Sequence, residues 1–542
     1  MSMLYNIMVL IIGFIISFMI IKVNYKTNFS LKNKVILFEI LFLFVGFSSR
    51  LLCIQNFPSG LNADEASSGY EAYSILNYGF DRHGNSFPIF LESWGGGQNA
   101  LYSYILIPFI KVMGLNLISI RLPMAIIGCI SLYIFYKLLK KFNNDALTHI
   151  GLFFLAICPW HIMKSRWGLE SNIFPDMILL MVYLIISFLK NGKKFLLYLS
   201  FCIAGLSFYA YGTSYFFVPV FVVFSLFILL KKKKIMVYDL FISILILVVV
   251  ALPVIVCVFI NKFNLPTIKI GLISIPSLSI IRYNHISSIF SSNFVASSIN
   301  NLLNSVFLFI SQYDYLNWNA LYFFGIIYIP SIIFFSIGIY ISLKNKLNKD
   351  YNWIFSIWLL CSFLLSIVCK PNINRLNVMW FPVIYYTIIG IYLFINHLKK
   401  IKKILCYLYT LLFALFMCEY FTFSNINMFT FNSDLGDAIK FVSKIEKNKK
   451  VYVSNSIKEP YIYFLFYKKY NTSNFINSVK YKKCNKCQFQ EVLSFGNYYF
   501  IKIDKIEKPG IYIIEGEELE KNKYLVNNLM KKKINKYYVI IK

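Results

Sequence analysis

"LNADEASSGYEAYSILNYGFDRHGNSFPIF", residues 61–90, carries Asp64, Glu65, Glu71 and Asp81 between two stretches apolar enough to lie in a bilayer, 35–54 and 97–113. Carboxylates in that setting mark a loop outside the hydrocarbon, so the flanking runs read as membrane elements and the chain as a polytopic membrane protein. The whole composition agrees: 58% of the 542 residues are hydrophobic, 19% are aromatic, and the mean hydropathy is +0.63. No soluble globular chain of this length is so apolar. Runs of about 20 apolar residues, the length that crosses about 30 Å of hydrocarbon, recur from Leu4 to Tyr420. No cleavable signal peptide is expected, because Leu4–Ile21 is longer than an h-region and lacks a small-residue cleavage site.

The formal charge of +30 does not point to nucleic acid. The lysines cluster in the breaks between apolar runs, as topology signals do, and not along one face of a folded domain. The eleven cysteines lie mostly in apolar spans as small hydrophobes. Cys484 and Cys487 alone sit in polar sequence; without a second pair or nearby histidines they read as a local disulfide or two free thiols, and no metal site is expected.

Lysine-rich breaks at 22–34, 137–141, 190–194, 231–234, 344–349 and 399–403 are all cytoplasmic by the positive-inside rule, which requires two crossings in each interval. The expected spans are 4–21, 35–54, 120–139, 147–162, 173–189, 195–211, 214–230, 236–260, 321–343, 352–369, 376–396 and 403–422, about twelve crossings. The run 97–113, interrupted by Pro108, is left as a juxtamembrane or re-entrant helix at the interface. Both termini and the loops 55–96, 160–172, 261–320 and 370–375 then face outward. Residues 1–422 form the membrane domain, with 55–118 and 261–320 as its long outer loops, and 423–542 form a small extracytoplasmic α/β domain. In that tail, "SDLGDAIKFVSKIEKNK" has helical periodicity, while "KVYVSN", "NYYFIKI" and "GIYIIEG" read as strands.

Four outer clusters carry reactive groups. Asp64 precedes an expected helix to Gly79, so the simplest reading makes Asp64 its N-cap and Glu65 a favourable first-turn charge. That leaves Asp81, His83 and Glu92 unexplained, whereas a carboxylate desolvated at a membrane-facing cleft is a suitable general base for a hydroxyl. The second cluster, "CPWHIMKSRWGLESN" (158–172), adds Lys164 and Arg166; snorkelling interfacial residues are its plain explanation, although outer loops should be poor in cations. The third, "SFYAYGTSYFFVP", contributes Tyr209 and Tyr211 from what also reads as an aromatic belt, and the fourth, "CKPNINRLN", contributes Lys370 and Arg375. Cations at that depth suit a lipid phosphate and a carboxylate suits a hydroxyl nucleophile, which together imply transfer from a lipid phosphate. A transporter would place its ionisable groups mid-span, and these spans are nearly free of them.

The ordered set of Arg50, Asp64-Glu65, Ala72, Gly79, Asp81, Gly84 and Pro88, then "PWH" and "SR" within 159–166, "FYAYG" at 208–212 and "NINRLN" at 372–377 resembles bacterial members of the dolichyl-phosphate-mannose protein mannosyltransferase superfamily. These GT-C fold glycosyltransferases are related to the lipid A aminoarabinose transferases, and the resemblance covers most of residues 35–420. It implies a polyprenyl-phosphate-linked sugar donor, an active site in the first extracytoplasmic loop and inversion at the anomeric carbon, in a multi-pass plasma-membrane protein. Asp64 matches the catalytic aspartate and would deprotonate the acceptor hydroxyl; Glu65 would orient the acceptor or Asp64. Asp81, His83, Glu92, Tyr209 and Tyr211 are candidates for holding the donor sugar or acceptor. Arg375, Arg166, Lys164 and Arg282 are candidates for the lipid phosphate. Where the aminoarabinose branch has lysine and proline after the position of Glu92, this chain has Ser93 and Trp94, so one expected phosphate ligand is missing. The scheme requires no cofactor and leaves room for a divalent cation bridging the phosphate. Protein, polysaccharide and lipid hydroxyls are all admissible acceptors. The competing functions are a transporter or flippase for lipid-linked saccharides and a non-catalytic envelope assembly protein.

Overall fold

The computed structural model describes residues 2–24, 33–278, 287–344, 351–398, 401–422, 431–432, 434–447, 449–482, 490–521 and 529–542. Arg282, Cys484 and Cys487 lie outside the described residues. The chain divides into two compact units: Met1–Ile54, Met124–Leu252 and Tyr283–Asn427 form the first, and Gln55–Pro123, Pro253–Arg282 and Met428–Lys542 the second. The unit that holds the C-terminal segment therefore also takes in the first long loop, a different partition from one cut at residue 422.

The first unit is a helical membrane domain. In hydrocarbon a backbone N–H or C=O has no water to bond, so each apolar run closes its own hydrogen bonds as a helix. Among the described residues seven helices of at least 18 residues are long and apolar enough to cross a membrane, and shorter apolar helices accompany them. Each expected span is occupied by a helix. That expected at 147–162 ends at Ile157, and Pro159 then starts a separate short helix, Pro159–Lys164.

Two small residues set one crossing. A Cβ on Gly338, in helix Ser331–Lys344, would overlap the carbonyl oxygen of Tyr386, and one on Gly390, in helix Trp380–His397, would overlap that of Phe334. The backbones meet because neither side projects a side chain, the usual solution where lipid supplies no hydrophobic drive between helices.

The region 261–320 is not simply a loop. It contains helix Phe294–Ser311, which is itself long and apolar enough to span. Its serines and asparagines read as loop in sequence, yet Ser298, Asn301 and Ser305 form a buried face. Asn301 Nδ2 donates to Ile367 O at 3.1 Å and Ser305 Oγ to Ser366 O at 3.3 Å, satisfying carbonyls that the end of helix Asn352–Val368 leaves open. The next span is correspondingly shorter than the expected 321–343: residues 321–330 are turns, and the helix starts at Ser331.

The second unit contains helices Ala63–Tyr78 and Leu101–Met113, small hairpins β1 (Phe90–Leu91) with β2 (Gln98–Asn99) and β3 (Ile268–Ile270) with β4 (Ile273–Ile275), and a mixed sheet. The sheet comprises β5 (Val451–Ser454), β6 (Lys480–Tyr481), β7 (Val492–Phe495), β8 (Tyr498–Ile501), β9 (Ile511–Glu515), β10 (Met530–Ile534) and β11 (Tyr537–Ile541), in the order β10-β11-β9-β5-β8-β7-β6. Strand β5 runs parallel to both β8 and β9 and is buried along its length, as a central strand covered on both faces must be. The exposed edge β10 carries Lys531, Lys532 and Lys533, charges that discourage pairing with another chain.

The first loop and the C-terminal segment are one packed body. Tyr70 donates its hydroxyl to Tyr470 O at 2.7 Å and lies 3.1 Å from Thr472 Oγ1. A Cβ on Gly69 would lie 3.1 Å from Phe466 in helix Pro460–Lys468 and 2.9 Å from Ile120, so glycine permits this approach. Leu61 N donates to Phe431 O at 2.6 Å, and Ile89 N to Ser274 O at 3.1 Å, which ties the β3–β4 hairpin to the same body.

Candidate active site

Helix Ala63–Tyr78 organises the loop, and its start differs from expectation. Asn62, not Asp64, is the N-cap: its side chain accepts from Asp64 N at 2.9 Å, and Glu65 Oε2 accepts from Asn62 N at 3.2 Å, completing a capping box. Asp64 is thereby released from capping. Glu65 is committed to the fold instead. It is 0% exposed and meets the Arg121 guanidinium at 2.9 Å through both oxygens, while Arg121 also donates to Pro58 O at 2.7 Å and Gly60 O at 2.6 Å. A carboxylate spent in this way does not orient an acceptor.

Asp64, Ser67, Ser68 and Glu71 follow at helical spacing and share one face. Ser67 Oγ sits 3.0 Å from Ser93 Oγ, and Gln98 Nε2 donates to Ser68 Oγ at 2.9 Å. Arg82 closes the network: NH1 donates to Ser67 Oγ at 2.9 Å, its backbone N–H to Glu71 Oε2 at 3.0 Å, and Nε lies 3.2 Å from Glu71 Oε1. Burial pushes Glu71 up to about 7 against the pull of Arg82.

At the exposed end of this face, Trp94 Nε1 donates to Asp64 Oδ1 at 3.2 Å. Asp64 is half-buried, and among the described residues its Oδ2 has no protein hydrogen bond or ion pair. Trp94 stands on a left-handed backbone at φ +55°, followed by Gly95 at +78° and Gly97 at +90°, where a Cβ would overlap the Phe90 ring. The "WGGG" run therefore makes a turn that only a glycine-rich sequence tolerates. The indole is held by the Arg82 guanidinium, 5.3 Å from its centroid, and by the edge of Tyr461 at 5.8 Å.

The remaining carboxylates of the loop serve mainly to shape it. Asp81 is 0% exposed; Oδ1 accepts from the backbones of His83 (2.9 Å) and Asn85 (2.8 Å), and Oδ2 from Asn85 Nδ2 at 3.1 Å. It builds a turn and is not available to a sugar, and burial raises it to about 6. His83 Nδ1 lies 3.8 Å from Glu92 Oε2, its ring stacks on Tyr481, and burial with the Arg82 charge lowers it to about 3. His83 and Glu92 are thus brought together, both partly accessible.

In the first unit, two expected phosphate ligands are consumed by the protein. Lys164 is 4% exposed, with Nζ 2.5 Å from Asp176 Oδ2 and 3.3 Å from Asn172 O. Arg166 is 0% exposed and donates to Ser49 O at 2.8 Å and Leu52 O at 2.7 Å, capping the carbonyls at the end of helix Asn33–Leu51. Neither presents a cation to a bound lipid. His161 belongs to the same buried network, within 3.0 Å of Arg50 Nε and 2.9 Å of Ser131 Oγ. Tyr209 spends its hydroxyl on Val250 O at 2.9 Å, and Tyr211 is half-buried. Arg375 is different: it is half-buried, and NH1 donates to the carbonyl of exposed Lys370 at 3.1 Å.

Sequence reading missed Trp94, Arg82, Arg121 and Tyr461 as partners. Two signals were present: a lone arginine at the apolar start of the 117–140 helix, which needs a buried counter-charge, and the polar stripe Asp64, Ser67, Ser68, Glu71 on an otherwise buried helix. Among the described residues no group of three or more His, Cys, Asp or Glu is placed to hold a metal ion.

Residues 99–257 match the family model described as dolichyl-phosphate-mannose-protein mannosyltransferase, a match that begins after Asp64. No curated protein matches the chain in sequence. Among solved structures, ArnT from Cupriavidus metallidurans bound to undecaprenyl phosphate is similar over 94% of this chain and 98% of its own, with TM-score 0.55 at 9% identity. The apo form of that protein gives 0.53 with the same coverage and identity. The archaeal oligosaccharyltransferase AglB from Archaeoglobus fulgidus, 13% identical, is similar over 81% of this chain and 64% of its own at TM-score 0.46, too distant to argue from. The stretch 99–257 is thus similar to the protein mannosyltransferase family, and this membrane protein as a whole shares the GT-C fold of ArnT.

Proposed function

We propose that the chain moves a hexose from a polyprenyl-phosphate donor to a hydroxyl acceptor outside the cytoplasm, inverting the anomeric carbon, with Asp64 as the general base. The observation that carries this reading is the state of Asp64: a half-buried carboxylate with one oxygen held by Trp94 and the other without a protein partner among the described residues. Oδ2 takes the acceptor proton as the acceptor oxygen attacks the anomeric carbon, and the bond to the phosphate oxygen breaks with its electron pair. The phosphate leaves as an anion and needs little protonation, so a single base suffices. ArnT, which shares the fold, was solved with undecaprenyl phosphate, in keeping with a lipid-linked donor here. Arg375 is the candidate cation for that phosphate in the first unit, since Lys164 and Arg166 are spent within the protein. The acceptor is a hydroxyl of an envelope protein, polysaccharide or lipid.

The test measures release of free polyprenyl phosphate from labelled undecaprenyl-phosphate hexoses, with a crude envelope fraction as acceptor and purified wild type beside Asp64→Asn. Release by wild type, and release about 10²–10⁴-fold slower by the folded variant, is expected. No release from any donor by intact wild type, while a known transferase works with the same fraction, overturns the reading in favour of a flippase.

A further inference from the structure

The Asp64 carboxylate has one protein donor among the described residues, and that donor is unusually constrained. Trp94 is 6% exposed on a left-handed backbone, a conformation that persists only where the surroundings enforce it. Three groups enforce it here. Arg82, itself 1% exposed, lies under the ring at 5.3 Å. Tyr461, 4% exposed and the second residue of helix Pro460–Lys468, meets the ring edge-on with planes at 79°. The backbone N–H of Gln490, which precedes β7, donates to Trp94 O at 3.0 Å. Two of the three come from the C-terminal segment, more than 360 residues downstream in the sequence.

We infer that Trp94 is a positioning residue: its indole N–H fixes the Asp64 carboxylate by one oxygen and turns Oδ2 toward the acceptor, and the C-terminal segment acts in catalysis by holding that indole in place. This rests on the reading of Asp64 as the base. Sterically, a carboxylate on the second residue of a helix is free to rotate, and one neutral donor selects its rotamer without neutralising its charge. A cation in the same place would bind the carboxylate as a salt bridge and compete with the acceptor hydroxyl. Ser93 and Trp94 therefore give this loop an uncharged partner for its base.

The experiment compares wild type, Trp94→Phe, a variant with an isosteric benzothienyl side chain at position 94 that keeps the ring and lacks the N–H, Asp64→Asn and the double variant Asp64→Asn with Trp94→Phe. The readout is polyprenyl phosphate release from undecaprenyl-phosphate hexoses, with thermal unfolding recorded for each protein. The benzothienyl protein should unfold at the wild-type temperature and lose about tenfold in kcat with an unchanged donor KM. In the double variant, loss of the N–H should cost nothing beyond Asp64→Asn, because both changes break one unit. A benzothienyl protein with wild-type kcat, while Asp64→Asn is at least about a hundredfold slower, overturns this inference and leaves Asp64 as the base. An Asp64→Asn protein with wild-type kcat overturns both.

Discussion

Glu65 and Arg121 face each other across a 2.9 Å bidentate contact, both fully buried. Their partners, Asn62 N, Pro58 O and Gly60 O, are the backbone that enters the helix of Asp64. Removing one charge strands the other without water. Glu65→Gln should therefore cost about 3–5 kcal/mol and appear as lost folded protein and a lower unfolding temperature. The variant that does fold should keep a donor KM near wild type, which distinguishes a structural carboxylate from one that binds substrate.

Asp64 gives the opposite result. The N-cap is Asn62, so Asp64→Asn leaves the capping box intact and should not move the unfolding temperature by more than about 1 °C. Turnover should fall by about 10²–10⁴-fold, the range expected when a positioned base is lost. A large drop in thermal stability would show that the two neighbouring carboxylates had been assigned the wrong way round.

The membrane helices were legible because their cause is local: an apolar run of sufficient length must close its own hydrogen bonds in lipid. Strands β5, β8 and β9 were legible for a similar reason, as short β-branched and aromatic runs between turn residues. What the sequence concealed was pairing at long range. Helix Phe294–Ser311 reads as loop because Asn301 and Ser305 point inward to carbonyls at 366–367, a fact written partly in another helix. In the same way Lys164 and Arg166 looked like ligands until Asp176, Asn172 and the carbonyls of 49 and 52 were seen to occupy them. Asp64 is singled out by family resemblance, whereas Trp94 lies only two residues from Glu92 and carries no signal that it faces a carboxylate 30 positions upstream.

The cations separate by the same logic. Lys164→Met leaves Asp176 as a buried, uncompensated carboxylate, and should reduce folded yield with little effect on the donor KM of the protein that survives. Arg375→Ala gives up one hydrogen bond to the Lys370 carbonyl at a half-buried position. It should leave the unfolding temperature unchanged and raise the donor KM about tenfold if its guanidinium meets the lipid phosphate. Titrating each variant with undecaprenyl-phosphate hexose checks both expectations. A stable Lys164→Met protein with weakened donor binding would reverse the assignment.

Glu459 provides a test of the C-terminal segment by pH. It precedes Pro460 on a left-handed backbone, φ +48° and ψ +52°, and is half-buried with no hydrogen bond or ion pair to another described residue. Burial raises it to about 7, opposed by Lys458 and Arg82 and reinforced by Glu491 and Asp64. A carboxyl whose folded value lies above its unfolded one binds its proton more tightly in the folded state. Its stabilising contribution is fully present below about pH 4.5 and is lost as pH rises through about 7. Glu459→Gln fixes the neutral form at every pH. The variant should therefore match wild type near pH 4 and exceed it by about 2–4 °C in unfolding temperature at pH 8. Equal unfolding temperatures across that range would mean that Glu459 reaches solvent and pays no desolvation cost; a variant less stable at pH 8 would mean that its charge is held by a favourable partner.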